Sequence, residues 1–573
     1  MGFRAFAQVL IWTLLVLLPD LLPGQISPEQ AGKLISSPVK YDFSLAGSFG
    51  ELRNTHFHAG IDIRPSSPKE NDRIYSISDG YIQRIRVQTG GYGKSVYILH
   101  PQLGYTTVYA HLDYFNEELE SYVTKIQKSR KSYAVNIDLP AGLFKVIKGD
   151  YLGVMGNTGQ SFGTHLHFEI RDSKTEKPIN PFLFGLKPPD DLPPSLLNVA
   201  VHGLDQDFLK VEQIILQVPS ERKQSLVLPV TEMVSDQIGI AVECFDRMTG
   251  APNKNGIYKL RLYTADSLVY SFGMDKISYG EMNQIAGFID YPQKQSNNET
   301  YSLCYKLPGV TLDFLRHNSN GIIKLEKGKS HYFCVEIEDF EQNITSFEWY
   351  VRKLESPVMT EDIPEASMVK IGVKWIYDEN DCTVVINENS LFRNIYFQFE
   401  TLNDSICNPC YRIHKASEPL RNNIEIKIRS DHTSPNLKNK AIIVRKDPLK
   451  GDINHGGNIL KDGIVTSTRF FGIYALSYDT IAPTVLPVNF NKKAVSSQKF
   501  SFEIKDNLET AGSASDISYK VWIDNELIIC PYKPLTKILD IPLKNIPSGN
   551  HNLKIQVTDH SGNTTIYRNN FSK

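Results

Sequence analysis

The sequence predicts a mainly β protein: an N-terminal antiparallel β-sheet unit followed by two or three β-sandwich units. Three observations carry that expectation. Short runs alternate apolar and polar residues and are rich in β-branched and aromatic side chains, which suits a half-buried pleated surface. Glycine- and asparagine-containing turns separate these runs at close spacing. Hydrophobic residues make up 41% of the 573 residues, with 28 Tyr and 28 Phe, enough apolar surface for several packed cores in a chain of this length.

Taken in order, Ala5–Leu18 is an apolar run behind a single Arg4, and Gly24 precedes Gln25. A run this short suits the core of a secretory signal over residues 1–24 better than a membrane span. Uncleaved, it would serve as an N-terminal anchor and the only membrane contact. Residues 25–45 read as a linker. Residues 46–187 hold strand-like runs such as Gly80–Val87, Lys94–Leu99 and Tyr105–Ala110, with one charged helical run at Asn116–Lys131. The four prolines and two acids of Gly185–Pro194 read as a linker. A β-sandwich is expected over 195–355, a β-rich unit over 356–480 and a further sandwich over 481–573. In the last, Val557-Thr-Asp559-His-Ser-Gly562-Asn563 resembles the final strands of bacterial immunoglobulin-like modules.

Sixty-two basic and 64 acidic residues give a net charge of -2, which argues against a dedicated nucleic-acid binder. All seven cysteines lie beyond the N-terminal third, and an odd number in an exported chain leaves at least one thiol without an intramolecular partner. Cys407-Asn-Pro-Cys410 is open to a small disulfide or a metal half-site. Cys244 and Cys334 sit in strand-like runs, either as buried thiols or as a bridge between strands.

Two segments carry chemistry: His56-Phe-His58-Ala-Gly-Ile-Asp62, and Gly156-Asn-Thr-Gly followed by His165-Leu-His167-Phe-Glu169-Ile-Arg171. Period-two geometry puts His165, His167, Glu169 and Arg171 on one strand face and Leu166, Phe168 and Ile170 toward the core. A catalytic zinc needs about three N or O protein ligands and one open position. His58, Asp62 and His167 supply that set, with His165 and one further His in reach of a water. His56 is expected to line the groove rather than bind metal, and His100 to be structural. Glu169 is expected to pair with a neighbour on its own strand face.

Together with Tyr109-Ala-His111-Leu, these segments resemble the M23 metallopeptidases, the lysostaphin/LytM-like peptidoglycan endopeptidases. The resemblance spans about Gly47 to Phe184. It implies one Zn2+ held by His58, Asp62 and His167, with His111 and His165 flanking the catalytic water. The implied activity is zinc-dependent hydrolysis of peptide crosslinks or stems of peptidoglycan, by attack of zinc-activated water. The implied setting is the periplasm or cell envelope of a Gram-negative bacterium. The alternative is a zinc-containing, non-hydrolytic envelope scaffold or activator of another wall hydrolase. For the β units the expected role is positioning or contact with an envelope protein.

Overall fold

The computed structural model describes residues 25–573 except 68–71, 220–227, 266, 355–367, 404–408, 431–436 and 494–497. The signal-like segment 1–24, Cys407 and the boundary expected between residues 355 and 356 lie outside the described residues. The chain is mainly β, as the alternating runs require.

After a short capped helix, α1 (Pro28–Gly32), the N-terminal unit builds one large antiparallel sheet. Its strands are β1 (Leu45–Gly47), β2 (Ile61–Ile63), β3 (Arg73–Tyr75), β4 (Gly80–Val87), β5 (Lys94–His100), β6 (Tyr105–Leu112), β7 (Tyr114–Phe115), β8 (Val135–Asp138), β9 (Lys145–Val146), β10 (Tyr151–Val154), β11 (Leu166–Asp172) and β12 (Pro178–Ile179). The large sheet runs β1-β2-β11-β6-β5-β4-β8, with β12 beside β11 and β9 beside β4. A small sheet runs β3-β10-β7. Every residue of β6 is buried, as expected of a central strand covered on both faces. The helical run is α2 (Glu117–Arg130). Asn116 caps it, three Glu occupy its first turn, and Leu119 and Val123 face inward while its charged side is solvated.

Beyond Gly185 the chain forms two further sheets over residues 195–354. One joins Lys210–Gln217, Ser195–Leu204 and Gln237–Phe245; the other centres on Ile344–Lys353, Ser330–Glu338 and Lys259–Thr264. These strands do not make a separate core. Buried side chains from Ala31 to Trp349 and Val351 form one continuous cluster that includes the N-terminal unit. Residues 368–478 have their own core, built on Val384, Ile426, Ile443 and Tyr474. In the last unit, Phe500, Phe502, Leu539 and Ile541 of one four-stranded sheet meet Val521, Leu553, Ile555 and Val557 of another, the packing of a β-sandwich.

Cys244, Cys304, Cys334, Cys382 and Cys530 are free thiols, so no bridge joins Cys244 to Cys334. Among the described residues, no helix is long and apolar enough to cross a membrane.

Candidate metal centre

The register of three strands assembles the centre. Asp62 on β2 pairs directly with His167 on β11, and His167 pairs with Ala110 on β6. Side chains opposite one another on adjacent antiparallel strands stand about 5 Å apart, so Asp62 and His167 meet on one face. His58 arrives from the segment before β2. Its backbone is held by Gly50 N–H donating to His58 O (2.9 Å) and His58 N–H donating to Glu51 O (2.9 Å). The three side chains are buried.

Their donor atoms converge. His58 Nε2 lies 3.1 Å from Asp62 Oδ1 and 3.0 Å from His167 Nδ1, and His167 Nδ1 lies 2.9 Å from Asp62 Oδ1. The other nitrogen of each imidazole is already committed. His58 Nδ1 faces the Ser48 carbonyl at 2.7 Å, an acceptor only, so that nitrogen carries the proton. His167 Nε2 donates to Glu169 Oε1 at 2.7 Å. Neutral His58 and His167 therefore turn two nitrogen lone pairs and a carboxylate oxygen toward one point with no proton among them. Such a set is repulsive until it gains a cation, and two imidazoles with a carboxylate suit zinc. Without a metal, a second proton on His167 is the substitute. Burial opposes that proton, but hydrogen bonds to Asp62 and Glu169 outweigh burial and push the group up to about 9.

His111 and His165 complete the face. A regular strand would aim residue 111 with Leu166, into the core. Instead His111 has a left-handed φ of +62°, which breaks the alternation at a cost of about 1–3 kcal/mol. Its ring stands 4.8 Å from that of His165 and 5.8 Å from that of His167. Two contacts hold the unusual conformation: His111 N–H donates to Tyr92 O (3.0 Å), and His111 Nδ1 donates to Thr158 O (2.8 Å). The loops bearing Tyr92 and Thr158 approach backbone to backbone. A Cβ on Gly93, at φ +61°, would come within 2.4 Å of Thr158, and one on Gly159, at φ +78°, within 2.3 Å of Gly93. His165 Nδ1 donates to Gly163 O at 2.8 Å, and its Nε2 points to Asp62 Oδ1 at 3.6 Å. Each Nε2 thus keeps a free lone pair. Burial, with the neighbouring imidazoles, holds His111 down at about 3, and burial lowers His165, so both stay neutral at pH 7.

Around this face lies a ring of further residues, of which Arg53, Tyr92 and Tyr279 lie outside the two motifs. Arg53 Nη2 donates to Asp62 Oδ2 at 2.8 Å. Glu169 is fully buried and accepts from His167, Tyr92 OH (2.6 Å), Arg171 Nε (2.6 Å) and Tyr279 OH (2.8 Å). Burial raises Glu169, but Arg171 and His167 more than reverse this and keep it ionised. The pairing expected for Glu169 is present, and its first partner is a metal-ligand candidate. Tyr279 comes from the second unit, which also touches the cradle through Gly256 N–H donating to Ser48 Oγ (3.0 Å). A proximity across sequence of this kind leaves no trace in a motif. His56 is exposed and bonded to Thr55. His100 is buried between Asp79 O (2.9 Å) and Thr107 Oγ1 (2.8 Å), a structural histidine.

Residues 56–128, which include His58, Asp62 and His111, match the model of Peptidase family M23. The N-terminal unit thus carries a family-model match to M23 peptidases over about half of its length. His165 and His167 lie outside the matched span and join the M23 residues through the fold. Residues 366–479 match a Zu5-like domain. The chain is 29% identical over 172 residues to "DD-carboxypeptidase/endopeptidase Mpg" of Neisseria meningitidis serogroup B, covering 29% of this chain and 32% of that one. It is 30% identical over 113 residues to an uncharacterized metalloprotease of Haemophilus influenzae, covering 20% and 18%. It therefore spans about a third or less of the curated relatives it matches. Among solved structures it is similar to a zinc containing peptidase from Vibrio cholerae, at 24% identity and a TM-score of 0.19 over 27% of this chain and 39% of that one. It is also similar to the catalytic domain of lysostaphin from Staphylococcus simulans, at 20% identity and a TM-score of 0.17 over 28% and 98%.

Proposed function

We propose that the M23 unit is a zinc-dependent endopeptidase that hydrolyses peptide crosslinks or stems of bacterial peptidoglycan, in the cell envelope. The observation that carries this reading is the convergence of His58 Nε2, His167 Nδ1 and Asp62 Oδ1, which lie 2.9 to 3.1 Å from one another. Zinc held there supplies a Lewis acid that polarises a peptide carbonyl and acidifies water. The remaining chemistry belongs to the chain. His165 and His111, neutral and with Nε2 free, can accept a proton from water at Nε2 and then pass that proton to the leaving amine. Their carbonyl partners Gly163 and Thr158 fix which nitrogen does so. Glu169 orients His167 and raises its basicity, while Arg53 fixes the second oxygen of Asp62. The peptidoglycan substrate is proposed from the family and from the relative named as a DD-carboxypeptidase/endopeptidase.

The test is mass spectrometry of products from defined crosslinked muropeptides incubated with the zinc-loaded full chain. Cleavage is expected from wild type, and none after chelation or with His165→Ala. Identical products from wild type and His165→Ala would overturn the enzyme reading in favour of a non-hydrolytic scaffold.

A further inference from the structure

We propose that Asp479, Asp506 and Asp559 bind a calcium ion at the junction between the third and last units. Asp479 follows the strand Gly472–Tyr478 of the third unit. Asp506 follows Lys499–Lys505, and Asp559 opens the turn between Asn550–Thr558 and Thr564–Ser572 of the last. One oxygen from each lies within 4.8 Å of the others. Acidic groups gather on many surfaces without an ion, but two of these are covered, Asp479 at 2% and Asp559 at 7% exposed, and Asp506 is half-buried. More tellingly, Asp479 Oδ2 and Asp506 Oδ1 are sealed from solvent and accept no hydrogen bond. The Ser561 hydroxyl lies beside Asp479 and favours its charged form. Lys440, the cation beside Asp479, spends its ammonium on Ser561 O at 2.9 Å. Burial, with the charges of Asp479 and Asp559, pushes Asp506 up to about 6. A buried carboxylate oxygen without a partner is costly, and a cation among the three removes that cost.

The same plan recurs in the second unit. Asp190 lies in the incoming linker, Asp246 follows Gln237–Phe245, and Asp339 opens the turn between Ser330–Glu338 and Ile344–Lys353. The turns match in detail. Asn343 donates from N (2.9 Å) and Nδ2 (2.8 Å) to the Asp339 carboxylate, and Asn563 likewise to Asp559 (2.8 and 2.9 Å). The second cluster is better satisfied, since Thr249 donates to Asp190 through N (3.0 Å) and Oγ1 (3.2 Å). The ion is therefore assigned to the terminal cluster alone. An all-oxygen set without nitrogen or sulfur selects a hard cation, and carboxylates from three separate elements suit the flexible shell of calcium better than the rigid octahedron of magnesium. Because Asp479 belongs to one unit and its partners to the next, the ion would stiffen the hinge between them. That hinge is already pinned by Asn563 Nδ2 donating to Asp479 O at 2.9 Å and by the parallel pairing of Ile453 with Glu509.

The test is calorimetric titration with CaCl2 of the full chain, washed with EGTA, freed of chelator and then reloaded with one equivalent of zinc, with proteolysis of the 479–483 junction as a second readout. Wild type should bind calcium with a Kd of roughly 10⁻⁴–10⁻³ M, typical of extracellular modules, and be protected at the junction. Asp506→Asn, nearly isosteric, should weaken binding at least ~10-fold, as expected when a charged ligand is lost. It should also melt no lower than wild type when calcium is absent, because it relieves carboxylate repulsion. Asp479→Asn, on the other side of the hinge, should give the same loss. Absence of binding at about 10 mM calcium, unchanged binding in both variants, or equal affinity for magnesium would each overturn the proposal. So would junction protection that follows acidification but not calcium.

Discussion

Two His-x-His pairs of the same spacing meet different fates in this chain. His165 and His167 begin a regular strand, so period-two geometry delivers both to one face, where each imidazole finds an acceptor that fixes its tautomer. His56 and His58 straddle a bend instead. Arg53 N–H closes a turn on His56 O at 3.0 Å, and Leu52 bridges to Phe57. Phe57, fully buried against Phe288 and Phe314 at ring distances of 5.3 and 5.6 Å, anchors the segment, so only His58 turns inward. Spacing alone does not make a ligand. The backbone around each pair decides which imidazoles reach the centre.

The largest way to break this comparison is His167→Ala. It should reduce zinc affinity by more than ~100-fold, beyond what loss of an orienting partner costs, and abolish hydrolysis; equilibrium dialysis and turnover check both. His165→Ala separates the roles within that pair. Zinc should remain at wild-type occupancy while turnover falls about 10²–10⁴-fold, the range for a lost acid–base group. Glu169→Gln tests the partner rather than the ligand. It should weaken zinc by about 10–100-fold and destabilise the fold by up to about 3–5 kcal/mol, the range for breaking a buried pair, with Glu176 at 3.1 Å as the carboxylate that remains on Arg171; denaturant titration reads the second effect.

The pH response is smaller and has a definite sign. Unfolded His111 takes a proton near its ordinary value of 6.5, but folded His111 only near 3, because burial and the adjacent imidazoles oppose its charge. As pH falls from 6.5 toward 3 the unfolded chain therefore binds the extra proton and stability drops. His111→Gln should flatten that slope in denaturant midpoints measured across this window and leave the region above pH 6.5 unaffected. His56→Ala should be the mildest change, within ~0.5 kcal/mol of stability and about twofold in turnover, as for an exposed side chain.

Much of this was legible in the sequence because it depends on local periodicity. The strands β4, β5, β6 and β11, the helix behind Asn116 and the opposed fates of Leu166 and His167 all follow from it. His58, Asp62, His111, His165 and His167 were legible only as residues of matched motifs, and the structure brings them together. Three features escaped. The left-handed turn at His111 depends on glycine loops from two distant segments. Arg53 and Tyr92 reach the centre through tertiary packing. Tyr279 and Gly256 belong to a unit that looks separate in sequence, where Gly185–Pro194 reads as a linker. That linker is crossed by one continuous core, so the second unit helps hold the cradle rather than trailing behind it.

Zinc content by native mass spectrometry, with His58→Ala and His56→Ala measured side by side, tests the central claim most directly. One zinc in the wild type, one in His56→Ala and none in His58→Ala is the expected result. Zinc retained by His58→Ala and lost from His56→Ala would contradict it.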